Sequence, residues 1–298
     1  MSTAEVTSAR PDHPAGRAAG PVGPVIHWIR FLRSELSLIF LRWRNLALLA
    51  VLAAIPVLIG IALKLSSPGG GGDGQGPAFF VQVAGNGVFL ALASLNVLLI
   101  LVLPLTVAVV AGDSVAGEAG HGTLRYLLAI PAGRARLLGI KYAALVIFCL
   151  AACAVVTVAA LLIGAALFPV GPVTLLSGTT ISLGAGLLRL AFVALYVAAA
   201  MAALAAIGLA ISAFTEHPIG AIAAIMVLAL ASEVSDSVPQ FAVVHPYLPT
   251  HWWLSFDALL RSPIAWPDLW HGLASFGIYA VIFGAIAWAR FSTADVTS

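Results

Sequence analysis

Between Lys141 and Arg189 the chain carries no charged residue. One membrane-crossing helix takes about 20 apolar residues. The stretch therefore exceeds one span, and Phe168-Pro169-Val170-Gly171-Pro172 marks a break inside it. The pattern recurs along the chain: Asn45 to Leu63 is again uncharged and apolar. Of 298 residues, 61% are hydrophobic and 9% charged, with a mean hydropathy of +1.07. Soluble domains carry about 25% charge. These runs exclude a soluble globular domain and predict an all-α polytopic membrane protein with six transmembrane helices.

The first 24 residues are rich in Pro, Gly, Ala and Ser and hold no apolar run. They are expected to form a disordered cytoplasmic tail rather than a signal peptide. From Pro24 to Arg44 the apolar residues Val25, Trp28, Ile29, Leu32, Leu36, Ile39, Phe40 and Trp43 follow a 3.6-residue stripe. Arg30, Arg33, Glu35 and Arg44 occupy the remaining surface. This predicts an amphipathic helix over 25–44 lying in the membrane surface, with its arginines toward anionic lipid headgroups. A plain extension of the first span is the alternative. One transmembrane domain over 25–291 follows, with a short cytoplasmic tail at 292–298. Its spans are expected at 45–63, 87–112, 142–168, 189–214, 219–232 and 269–289. Pro56 is expected to kink the first, and Pro104 interrupts the second.

Charge placement sets an expected orientation. With both termini inside, the inner side holds Arg10, Arg17, Arg30, Arg33, Arg42, Arg44, Arg125, Arg134, Arg136, Lys141 and Arg290, 11 of the 14 basic residues. The polar stretch Ala111–Lys141 then lies in the cytoplasm and is the natural place to meet soluble partners.

Catalytic signatures are absent. GxxxxGK[ST], HExxH and GxSxG do not occur, and the glycine-rich run at 69–76 lacks the lysine of a phosphate loop. Cys149 and Cys153 lie one helical turn apart within a span and are expected to be packing residues. His245, His251 and His271 match no compact metal-ligand spacing, so no metal site is expected. The fifth span is short and precedes a Pro- and aromatic-rich segment, Glu233 to Asp268. A span that stops early predicts short helices re-entering from outside as an outer gate, with Glu233, Asp236, His245 and Tyr247 as its candidate residues. The alternative is a surface loop anchored by Trp252, Trp253, Trp266 and Trp270. Phe89, Leu92, Asn96 and Phe192 are candidates to line a pathway.

Between the second and third spans, Asp113, Glu118, the run Gly122-Thr123-Leu124, Leu127-Leu128, Pro131, Arg134 and Lys141 stand in order. In this set the chain resembles the membrane permease subunits of type-2 ABC transporters, an exporter family. The interfacial helix, the six spans and the segment before the last span extend the resemblance over most of 25–291. The resemblance implies a cytoplasmic coupling helix over Glu118–Leu128, seated in a groove on a separate ATPase. Asp113, Glu118, Gly122, Thr123, Leu124 and Arg125 would contribute to it, with Glu216 and His217 as a second, smaller contact. It implies that this chain binds no cofactor, that ATP and Mg sit on two copies of the ATPase subunit, and that two permease chains pair; the complete six-span pattern favours a homodimer. Membrane lipid is a further partner and nucleic acid is not. The nearly uncharged spans favour a hydrophobic or amphipathic substrate. The competing classes are an ion-coupled secondary transporter, which requires charge at mid-depth, an intramembrane enzyme, and a non-catalytic immunity or assembly protein.

Overall fold

The computed structural model describes residues 24–66, 86–120, 134–175 and 177–293. Helix α1 (Pro24–Phe40) opens the described chain, and α2 (Trp43–Ser66) follows after a bend at Leu41 and Arg42. The buried Asn45 side chain fixes that bend by donating to the Ile39 carbonyl at 2.9 Å. The amphipathic helix thus stops short of the predicted Arg44. Trp43, expected on its apolar stripe, instead starts α2 and is 83% exposed. Helix α2 runs unbroken through Pro56.

The second predicted span is two helices, α3 (Val88–Ile100) and α4 (Val102–Gly120), separated at Leu101 with φ −140° and ψ −51°. Pro104 explains the break. A helix continuing through it would press the proline ring on the Ile100 carbonyl, whereas in the first turn of α4 the missing N–H costs nothing. Helix α4 continues past the predicted end at Gly112, so Asp113 and Glu118 belong to the same helix as the span. Of the stretch Glu118–Leu128, implied to be one coupling helix, Glu118 to Gly120 are the last residues of α4. Residues 121–133, including Gly122, Thr123, Leu124, Arg125 and Pro131, lie outside the described residues.

Helix α5 (Arg134–Leu167) starts before the predicted Tyr142 and carries Lys141 within it. The segment after it departs from the all-helical expectation. Strands β1 (Val173–Thr174) and β2 (Thr180–Ile181) pair antiparallel, Val173 opposite Ile181. All four residues are β-branched and suit a pleated strand. Gly178 supplies the turn at φ +80°. Helix α6 (Leu183–Ser212) begins ahead of the predicted Arg189, where the Ser182 hydroxyl accepts from the Ala185 N–H at 3.4 Å. Helix α7 (Pro218–Asp236) extends past the predicted Ser232 and includes Glu233 and Asp236. Three short 3₁₀ helices, Pro239–Phe241, His245–Tyr247 and Ser255–Leu260, lead to α8 (Trp266–Thr293).

Six of these helices are long and apolar enough to cross a membrane: α2, α4, α5, α6, α7 and α8. Helix α6 is central and packs on α4, α5, α7 and α8, while α5 packs on α1, α2 and α3. Phe40 of α1 meets Phe148 of α5 with ring centroids 5.8 Å apart. Lipid tails are as apolar as leucine, so burial from lipid gives these helices no hydrophobic reward and close packing must hold them. Missing side chains permit it. A Cβ on Gly87 would stand 2.4 Å from the Gly164 carbonyl oxygen, and one on Gly208 would stand 2.7 Å from the Ala111 Cβ.

This contact has a direct test. Gly164→Ala places a methyl against the Gly87 backbone and should destabilise the purified protein by about 1–3 kcal/mol, the cost of overpacking. Gly139→Ala, in the same helix with open space around the new Cβ, should be neutral or stabilising by up to about 1 kcal/mol. Thermal melts of the two variants in detergent check the contrast.

Candidate functional site

Six charged side chains gather where α1 turns into α2, α4 ends and α5 begins, here called the basal end. Lys141 is the centre, with its side chain 2% exposed. Its ammonium donates to Glu118 at 2.7 Å and lies 3.3 Å from both carboxylate oxygens of Glu35. Beside it, Asp113 accepts a hydrogen bond from the Arg42 guanidinium and forms an ion pair with Arg44 at 3.0 Å. Three bases thus meet three acids drawn from four helices. Gly117 makes room for this arrangement. A Cβ there would stand 2.6 Å from Asp113 Oδ1, so its absence leaves the carboxylate space one turn along α4. A small cavity of about 40 Å³ lies between these charged groups and the apolar side chains of Leu38, Ile39, Val110 and Leu145.

A second junction ties α4 to α6 and α7 at the same end. The fully buried Ser212 hydroxyl of α6 accepts from the backbone N–H groups of Val115 and Ala116 at 3.1 and 2.9 Å and donates to the Gly112 carbonyl at 2.8 Å. Gly112 meets Ile222 of α7, where an added Cβ would fall 2.9 Å from Ile222 Cγ1. Gly120, the last residue of α4, lies against the α6–α7 turn, with its Cβ position 3.0 Å from the Glu216 carbonyl oxygen. Glu216 and His217 in that turn are exposed, and the His217 N–H bonds Thr215 Oγ1 at 3.1 Å.

The structure therefore brings Asp113, Glu118, Glu216 and His217 to one end. Asp113 and Glu118 point into the protein, while Glu216 and His217 point out of it. Trp28, Arg30 and Arg33 are exposed on α1. Of the four pathway candidates, Phe89 and Leu92 are core residues, Asn96 is half-buried and Phe192 is exposed. The opposite end gathers the outer-gate candidates in part. Asp236 Oδ1 lies 2.6 Å from His251 Nδ1 and 3.8 Å from His245 Nδ1. Tyr247 is 75% exposed, and its carbonyl accepts from the Tyr279 hydroxyl. Among the described residues no group of three His, Cys, Asp or Glu is placed to hold a metal. Sequence reading passed over Glu35, Arg42 and Ser212. Glu35 could have been noticed as the lone acid on a helix otherwise basic on its polar face.

Breaking a buried ion pair by removing one partner costs about 3–5 kcal/mol, because the surviving charge stays buried. Lys141→Met should therefore destabilise the protein by about that much. Arg44→Met, on a side chain 47% exposed, should cost less than about 1 kcal/mol. Equal losses in denaturation of the two variants would contradict this account of the cluster.

Comparison with curated proteins finds no matching relative. A family model described as an ABC-2 family transporter protein matches residues 40–232, more than half of the chain and every helix from α2 to the body of α7. With the six membrane-length helices, that match identifies the chain as a member of the ABC-2 transporter family, the membrane-spanning permease component of an ABC transporter.

Proposed function

We propose that this permease takes work from a separate ATPase subunit at its basal end and exports a hydrophobic or amphipathic substrate, a drug, lipid or lipid-like product. The observation that carries the reading is the convergence at that end. The end of α4, the start of α5, α1 and the α6–α7 turn are joined by Lys141, Ser212 and Gly120. A displacement delivered to the segment after α4 reaches α1 and α5 through Lys141, and α6 and α7 through Ser212 and Gly112. Glu216 and His217 stand exposed beside it as a further contact. ATP and Mg reside on the ATPase, in two copies. The chain sits in the cell membrane with both termini in the cytoplasm, a placement supported by the 11 basic residues that fall on that side. The substrate class is supported by the scarcity of charge within the spans.

A second copy of the chain pairs along α7. Ile219, Leu230 and Val234 recur on one stripe of that helix and are 81%, 44% and 62% exposed. The buried residues Ala221, Ile225 and Ala229 face the protein on another.

Purification from the native host should co-isolate a nucleotide-binding subunit. The exposed pair Glu216→Lys and His217→Glu should weaken that capture several-fold while leaving the melting temperature unchanged. A chain that carries no such subunit and transports on an ion gradient alone sinks the proposal. For the pairing, Val234→Cys should form an oxidant-induced dimer in membranes, and Leu58→Cys on α2 should not. Equal cross-linking at both positions argues against the α7 interface.

A further inference from the structure

Helix α7 has a third stripe that is neither packed on the protein core nor part of the exposed pairing face. Ala224, Leu228, Ala231 and Ser235 lie on it and, with Val227 at the edge of the pairing face and the buried Ser232, form one wall of a slot of about 620 Å³. Tyr279 and Phe283 of α8 form the facing wall, Ile207 of α6 the floor, and Leu248 and Pro249 lie at the Asp236 end. The slot exists because two of the wall residues of α7 are alanines seven positions apart, where larger side chains would fill the gap. We propose that this slot holds one acyl chain of a bilayer phospholipid, taken from the leaflet on the Asp236 side.

Three observations select that occupant. The first is size. The volume falls within the range of about 300–1,000 Å³ that small-molecule sites occupy. A helix with side chains is at least about 10 Å wide, so one turn alone takes roughly 400 Å³. A single chain fits along the whole slot, whereas a partner helix could only lie over its mouth and leave its depth unfilled. The second is length. Ala224 to Ser235 are separated by 11 residue steps, about 16 Å of helix, which is close to half of the roughly 30 Å hydrocarbon core. The slot is one leaflet long. The third is polarity along its axis. The Ala224 end is wholly apolar, while at the other end stand Ser232, Ser235 and the Tyr279 hydroxyl, with Thr250, Asp236 and His251 beyond them. The transition from apolar to polar falls where a lipid passes from chain to glycerol. A chain gains no hydrophobic energy by leaving its neighbours for this slot. It is retained by dispersion contacts on three sides, individually about 0.1–0.2 kcal/mol, so residence is preferential rather than permanent. The proposal does not depend on ATP coupling.

The test uses the full chain in vesicles of phosphatidylcholine and phosphatidylglycerol with a trace of phosphatidylcholine bearing a photoreactive diazirine on one acyl chain. After illumination, labelling at 224–235 and 279–283 should exceed that at the exposed α2 residues Leu58 and Ile61 by about fivefold, equivalent to roughly 1 kcal/mol. Ala231→Trp and, separately, Ala224→Phe fill the slot and should bring its labelling down to the α2 level, with melting curves confirming that each folds. Leu58→Trp should leave slot labelling unchanged. Labelling that simply follows exposure around the whole protein overturns the proposal. So does slot labelling that survives both filling variants. Slot residues shielded from the probe and cross-linked to a second copy would also overturn it.

Discussion

Lys141 is the group on which the basal end depends. A buried ammonium is costly to desolvate and is tolerated only with charged, hydrogen-bonded partners. Glu118 and Glu35 meet that demand from two different helices. Satisfying this buried cation therefore fixes α1 and the end of α4 relative to α5. Asp113 and its two arginines repeat the arrangement one step further out, pinning the start of α2 to α4. Such pairs are weak evidence for stability as such. Their value here is positional, since the orientation of four elements follows from one set of contacts.

The Lys141 cluster and the Ser212 junction divide the work. The cluster is ionic and joins α4 to the elements before it and to α5. The junction is made of a hydroxyl and glycines, and it joins α4 to α6 and α7. Between them α4 cannot shift along its axis without disturbing nearly every other helix of the bundle. Packing of this kind is bistable rather than continuously deformable. The proposed coupling to an ATPase calls on that property, since a push at one end would have to pass through α4 to rearrange the rest of the bundle.

The number of membrane-length helices and their type were legible in the sequence because apolar runs of membrane length admit few alternatives. The break near Pro104 followed from the proline ring. The limits of the helices were less legible. Hydropathy marks where charge begins, but a helix continues while its backbone is satisfied, so α4 runs through Asp113 and Glu118 and α5 starts at Arg134. The strands at 173–174 and 180–181 were hidden because two residues give no readable alternation. At the site, Asp113 and Glu118 stood out as acids in a loop-like stretch, yet their partners did not. Glu35 and Lys141 are 106 positions apart, and no local pattern encodes so distant a pairing. Ser212 was equally silent, since a serine ending an apolar run reads as ordinary helix until its neighbour is known.

The unequal lengths of the helices account for the opposite end. Helices α6 and α8 have 30 and 28 residues, about 45 and 42 Å, whereas α7 has 19, about 28 Å. Starting together at the basal end, α6 and α8 overshoot α7 by roughly 15 Å, and the 3₁₀ segments fill the step that remains. The bonds across the step bear this out. Tyr196, well inside α6, donates to the Trp252 carbonyl at 2.8 Å, and its hydroxyl occupies the space left by Gly272 of α8. Arg189 donates to the carbonyls of Leu259 and Arg261 at 2.8 and 2.9 Å. Trp253, Phe256 and Leu259 are buried beneath them. The segment is thus neither a free surface loop nor an isolated hairpin. It is a cap seated on the short helix and stitched to the long ones, and a movement of α7 relative to α6 must either carry the cap along and break its bonds to α6, or leave it behind and break the Ser232–Thr250 and Asp236–His251 bonds to α7.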